Sequence, residues 1–467
     1  MKKILSLIIC AILAVCSMIS LVGCGKKSND LVVWTFTDEL KTMVNDYYKK
    51  AYPNAKVDVK VFEVNDLATK LNMTLKAKKG LPDVVAIEQK YIREYALSGY
   101  FMDLSDMNGT EQMYTCTLDA AKNKDGKVIA YAWQATPGVM YYRADMAKEI
   151  LGVNSPEEMH AMVSTWYGVL NVAAQLKAVD DAIVTKYTGL TGKALEEHGK
   201  GIRIFSDNTA PAKVFYSNRE KSWIDSDGTT LAIDSSLYDG ENNLMDIVKK
   251  LEMGTSTEWG NVESYDPYIN RNQERATGWF NDMSNGQVFS FLMPSYSLSY
   301  DFEKYCGDSE GKWAICEGPQ NYTDGGTWLG IINHKDTKVD EAKQLISYFT
   351  TNTEFLTAWA NKTGDFMNNK TLMQQFAADS TKTHKVLADG QNPYIVFNKV
   401  AASLRSDNLT KHDAKLCEEF KTWCLYYAQL INLDTTDSAL AKKSAVQGFM
   451  NYVATNTNLT VGENPIA

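Results

Sequence analysis

Between Lys127 and Asp145 the chain reads KVIAYAWQATPGVMYYRAD, two strand-like runs joined by a segment that has the grammar of neither a turn nor a helix. Asn123-Lys-Asp-Gly126 is a turn signal feeding the apolar run Val128 to Tyr131, and Val139-Met-Tyr-Tyr142 is again rich in strand formers. Between them Pro137 locks its own φ and steers Thr136 away from helical geometry. The chain must therefore leave one sheet and enter another through a stiff strap over Ala132 to Gly138, which predicts two lobes and a hinge.

Upstream of the strap, strands and helices alternate. Leu31-Val-Val-Trp-Thr-Phe36 is a continuous apolar run, the mark of a strand buried on both faces. Thr37-Asp-Glu39 opens a helix with acid in its first turn, and Leu40, Met43, Val44, Tyr47, Tyr48 and Ala51 recur at helical spacing. Lys56 to Phe62 alternates as a strand, Asn65-Asp66 can cap a helix through Leu67, Leu71 and Leu75, and Leu81 to Ile87 is a third strand. Such alternation predicts a parallel sheet with helices on both faces.

The combination of these stretches resembles family 1 extracellular solute-binding proteins, the capture subunits of ABC importers. The resemblance rests on Trp133 ahead of Thr136-Pro-Gly138, on Tyr142-Arg-Ala-Asp145 with Gly152, on Gly80-Leu-Pro-Asp-Val84, and on Phe101-Met-Asp-Leu104. It spans nearly all of the chain, thins after about Asn368, and is weakest from Val179 to Lys200, which reads as an insertion. It implies a two-lobed α/β fold with a ligand cleft between the lobes, a carbohydrate ligand, an ABC permease as partner, and a monomer with no cofactor. A second crossing is expected after Trp313 to Pro319 and a third at Thr363-Gly-Asp-Phe366. One lobe is expected to comprise residues 31–134 and 319–361, the other residues 135–318 and 362–467.

The amino terminus reads as a lipoprotein signal over residues 1–23: Lys2-Lys3, an apolar core from Ile4 to Ser20, and the lipobox Leu21-Val-Gly-Cys24. Cys24 would carry the lipid, residues 24–30 would be a polar tether, and the body would lie on the extracellular face of the cytoplasmic membrane. An uncleaved transmembrane anchor is the alternative, since Ile4 to Gly23 is uncharged. With 57 acidic and 48 basic residues the net charge is −9, which disfavours nucleic acid as a partner. Of eight cysteines five lie beyond the signal and the lipobox. Cys306 and Cys316 flank a loop where a disulfide is feasible, whereas Cys417 and Cys424, on a helical pattern, would stand ~10 Å apart, out of reach.

Catalytic motifs find little support. Gly307-Asp-Ser-Glu-Gly311 has the spacing of a nucleophile elbow but lacks the strand before and the helix after, so it reads as a solvated loop. The five histidines show no metal-ligand spacing, and no phosphate-binding glycine pattern occurs. A glycan-active hydrolase stays open as an alternative, because aromatics and carboxylates serve both roles. So does a capture protein for a non-sugar solute such as a polyamine or a glycerol phosphate.

Ligands of open α/β sheets lie beyond the carboxyl ends of the strands, and in two-lobed proteins between the lobes. That rule selects Trp34 to Asp38 after the first strand, Glu88 and Gln89 after the third, Trp133, Tyr296 and Trp328 near the crossings, and Asp365 at the last one. Rings would stack on the C–H faces of a sugar while the carboxylates take its hydroxyls. The family resemblance separately favours Trp133, Tyr296 and Trp328, the last following Gly325-Gly326. Trp223 beside an Asp-Gly hairpin is a weaker candidate.

Overall fold

The computed structural model describes residues 30–198, 201–254, 267–432 and 437–466. The signal segment, the tether to residue 29 and Cys24 lie outside the described residues.

The first lobe is built on a sheet of strands β1 (Leu31–Thr35), β2 (Val57–Val61), β3 (Val84–Glu88), β4 (Ala130–Ala132) and β9 (Thr327–Ile331), in the order β2-β1-β3-β9-β4. β1 runs parallel to β2 and β3, with Leu31 opposite Val57 and Val33 opposite Val84. Asp83 fixes the β1–β3 register: its carboxylate accepts from Val32 N at 2.8 Å and Lys338 N at 3.0 Å. The sheet is mixed rather than parallel, because β9 is antiparallel to both β3 and β4. The reason is the route of the chain. β9 arrives through a crossing from the other lobe, so it enters the sheet at the end where β3 leaves it.

The second lobe carries β5 (Pro137–Arg143) between β6 (Ser290–Pro294) and β7 (Trp313–Cys316), with β8 (Tyr322–Thr323) on the end of β5, all antiparallel to it. Side chains alternate across both sheets, as a period of two requires. Val84 and Ala86 face a core that also holds Tyr141, Phe291 and Trp313 of the second sheet, so one apolar core continues past the hinge. Val85, Ile87 and Trp328 face a smaller core on the outer side of the first sheet. Met140 and Tyr142 face the core beneath the carboxyl-terminal helices. Those helices, Asp413–Asn432 and Ser438–Asn456, bury Phe420, Cys424, Tyr427 and Phe449, with each phenylalanine worth about 1.5–3 kcal/mol. A Cβ on Gly448 would sit 2.2 Å from the Trp423 ring, which is why the pair closes there.

Local expectations are met with small shifts. Thr37 caps the helix Asp38–Met43 by accepting from Glu39 N, and the expected face (Leu40, Met43, Val44, Tyr48) is buried, though Ala51 is exposed and the helix passes through a π turn at Val44–Tyr48. The next helix, Val64–Ala77, starts one residue ahead of the expected cap. Residues 307–311 form an exposed turn as expected, except that Ser309 points inward: it is 2% exposed, shares its one hydrogen between Met283 O and Cys306 O, and accepts from Trp313 Nε1. Cys306 and Cys316 are buried free thiols rather than a disulfide. Among the described residues no helix is long and apolar enough to cross a membrane.

Candidate functional site

Three chain segments pass between the lobes side by side. The first, 133–136, joins β4 to β5 and lies in the middle. On one flank Ala135 N donates to Phe366 O and Asn368 N to Trp133 O, so residues 366–368 form the second member of the ribbon. On the other, Thr136 Oγ1 donates to Gly325 O at 2.9 Å and meets Thr323 Oγ1 at 3.1 Å, which ties in the β8–β9 connection. Gly325 and Gly326 have φ of +71° and +115°, conformations that exclude most side chains. A Cβ on Gly325 would stand 2.8 Å from the Tyr296 hydroxyl, and one on Gly326 3.1 Å from the Trp328 ring.

Beside this ribbon a cavity of about 180 Å³ is walled by both lobes. The first lobe contributes Gln89, Lys90 and Arg93 at the exit of β3; the second contributes Lys213, Tyr216, Ser217, Thr323 and Asp324, and residues 405–409 with Asp413 close its floor. Gln89 Nε2 reaches Thr323 Oγ1 at 3.4 Å, a long polar contact from lobe to lobe. Lys213, on the helix Ala210–Asn218, places its ammonium 3.0 Å from Glu274 Oε1 and 3.0 Å from Asp324 Oδ2. Arg275 grips Asp301 with two bonds of 2.9 and 3.0 Å, and Trp279 Nε1 donates to Asp207 at 3.0 Å.

Of the residues selected from sequence, Gln89 lines the cavity; Glu88 precedes it on β3, Tyr296 lies against Gly325 of the ribbon, and Asp365 precedes the ribbon segment 366–368, these last all outside the cavity lining. Glu88 is half-buried and accepts from Lys90 N; burial pushes its carboxyl up to about 7, and the charge of Asp324 acts in the same direction. Tyr296 is half-buried against Gly325, and burial, with Asp324 adding, raises its hydroxyl above the ordinary phenol range. Asp365 is 3% exposed and accepts from Phe366 N at 2.8 Å; burial holds it well above the carboxylate range and the charge of Glu39 reinforces this. Asp38 is exposed, and its neighbour Glu39 turns inward instead, accepting from Trp359 Nε1 at 3.3 Å, with burial raising it to about 7.

The four tryptophans selected from sequence are all buried. Trp34 packs on Phe62 with Lys70 over its ring, and Trp133 is fully buried in the core that crosses the hinge. Trp328 is 4% exposed and donates to Thr117 O at 2.9 Å. Trp223 is fully buried beneath Phe420 and Phe449. A ring with so little accessible surface presents almost no stacking face in this conformation. Lys213, Glu274, Arg275, Asp301 and Glu39 escaped the sequence reading because they sit in helices and loops without a motif. Only Asp324, directly ahead of Gly325-Gly326, had a usable signal: a charged residue beside a hinge glycine pair.

No curated protein matches the sequence. Among solved structures, the fold resembles an extracellular solute-binding protein family 1 structure (TM-score 0.70, 16% identity, 90% of this chain and 99% of that one). It also resembles the sugar-binding protein MalE from the phytopathogen Xanthomonas citri (TM-score 0.65, 15% identity, 91% and 98%). A third likeness is the ABC transporter associated binding protein from B. animalis subsp. lactis in complex with beta-1,6-galactobiose (TM-score 0.64, 18% identity, 93% and 99%). At these identities the likeness establishes the two-lobed fold. The family model described as bacterial extracellular solute-binding protein matches residues 42–388, most of the chain, and the protein therefore belongs to the bacterial extracellular solute-binding proteins.

Proposed function

We propose that this chain captures a carbohydrate between its two lobes by closing about the three-segment hinge, and that it delivers the sugar to an ABC permease while tethered through a lipid on Cys24. The observation that carries the reading is the cavity at the lobe junction, where Gln89, Lys213, Ser217, Thr323 and Asp324 offer hydrogen-bonding groups from both sides. Hydroxyl-rich ligands are recognised by such convergent polar groups set in an otherwise apolar cleft. The ligand-facing set we propose is Glu88, Gln89, Lys213, Glu274, Tyr296 and Asp324, with Glu39 and Asp365 on the opposite flank of the ribbon. The two lobes would then correspond to residues 31–134 with 325–361 and residues 135–324 with 362–467, because β8 pairs with β5 and carries residues 319–324, expected in the first lobe, into the second. The likeness to two sugar-binding proteins supports the choice of ligand class.

A second reading, a cationic solute such as a polyamine, is favoured by the surplus of carboxyl groups over cations around Lys213 and Arg275. A thermal-shift screen against mono- and oligosaccharides, with spermidine as the cationic probe, separates the two. A ligand at 100 times its dissociation constant adds about 2.7 kcal/mol of stability. Stabilisation by spermidine alone would replace the first reading with the second.

A further inference from the structure

We infer that Lys213, Glu274 and Asp324 set the charge selectivity of the cleft, accepting the hydroxyls of neutral sugars and rejecting sugars that carry a carboxylate. The inference rests on the carbohydrate reading above and deepens it.

Lys213 lines the junction cavity with 15% of its side chain exposed, and two carboxylates hold it, each at 3.0 Å. An ammonium has three donors. Two are engaged, so one remains for a ligand oxygen, while both carboxylates keep lone pairs for ligand hydroxyl groups. Two negative charges against one positive leave the group with a net charge of −1. Glu88 faces Asp324 from the first lobe, and Asp207 faces Lys213 from the second, and among the described residues Lys213 is the only cation paired with Asp324 or Glu274. A uronate carboxylate placed here meets repulsion in a recess where water screens little, whereas a hydroxymethyl group at the same position donates to a carboxylate oxygen.

Of the other cations near the cavity, Arg275 and Arg405 are each neutralised within an ion pair, while Arg93 and Lys90 keep their charge on the first-lobe wall, opposite the Lys213 group. Arg275 is committed to Asp301, and Arg405 to Asp407 at 3.0 and 2.8 Å. Arg93 donates to Lys122 O. Lys90 is exposed at the rim and bonds Asn65 Oδ1 at 3.1 Å. Asp324 has a second task, because it is the last residue before Gly325 and its ion pair fastens the crossing to the helix Ala210–Asn218.

The test is calorimetric titration of the wild-type chain with neutral mono-, di- and trisaccharides and with the C6-carboxylate counterpart of each. Wild type is expected to bind a neutral member about 100-fold more tightly than its uronate. Asp324→Asn and Glu274→Gln each free Lys213 from one carboxylate and should narrow that ratio about tenfold. Glu274→Gln leaves the Asp324 contact in place, so it decides the matter if Asp324→Asn melts early. A wild-type preference within about threefold, or a ratio unmoved by both substitutions in folded proteins, would overturn the charge filter alone. Absence of heat with every sugar of both kinds would instead overturn the carbohydrate reading, and the filter with it.

Discussion

Glu88 and Glu39 show how position decides what a residue does. Both are ordinary glutamates in sequence, yet burial raises each from 4.5 to about 7. Between those values the folded chain holds a proton that the unfolded chain has released, so folding binds protons there. The stabilising contribution is complete below pH 4.5 and is lost as pH rises through about 7. Glu88→Gln should therefore flatten the decline of melting temperature across that window and leave the variant the more stable protein at pH 8. A wild-type-minus-variant difference that stays constant from pH 4 to pH 8 would show that burial does not perturb this carboxyl. The indoles make the complementary point: Trp34, Trp133 and Trp328 have the residue type a sugar site needs, but Trp133 and Trp328 fill cores and Trp34 is covered by Phe62 and Lys70.

At the scale of an element, the connection from β8 to β9 concentrates the hinge chemistry. Asp324 is held by Lys213, Thr323 and Gly325 are bonded to Thr136, and the Tyr296 hydroxyl fills the space beside Gly325. Gly325→Ala places a methyl 2.8 Å from that hydroxyl and adds backbone strain at a φ of +71°, a cost of order 1–3 kcal/mol. The melting temperature should fall by several degrees, and adding Tyr296→Phe should restore part of it by removing the oxygen. If the second substitution restores nothing, backbone strain alone explains the loss and the contact with Tyr296 does not matter.

For the whole molecule, a shared core and a three-segment ribbon join the lobes, and the proposed capture would require them to open and close. Ligand drives closure only through its higher affinity for the closed form, because equal binding to both moves nothing. X-ray scattering should record a smaller radius of gyration with the cognate sugar than without it, and superimposable profiles at saturation would contradict hinge closure. The same chain expressed with Cys24→Ala should leave the membrane fraction or accumulate as a precursor; a lipid-labelled mature product would disprove the anchor at Cys24.

What the sequence determined by itself was local and periodic. Apolar runs and helical spacing set β1, β3 and the helices around them, and Thr136-Pro137 demanded a strap between two sheets. These are decided by each residue's neighbours a few positions away, which a linear text records. Tertiary structure alone decided that β9 runs against β3, that Glu39 rather than Asp38 turns inward, that Ser309 is buried, and that Lys213 meets Glu274 and Asp324 across 61 and 111 positions of chain. Burial and charge pairing depend on distance in space, and pairings this remote leave no periodic trace along the chain.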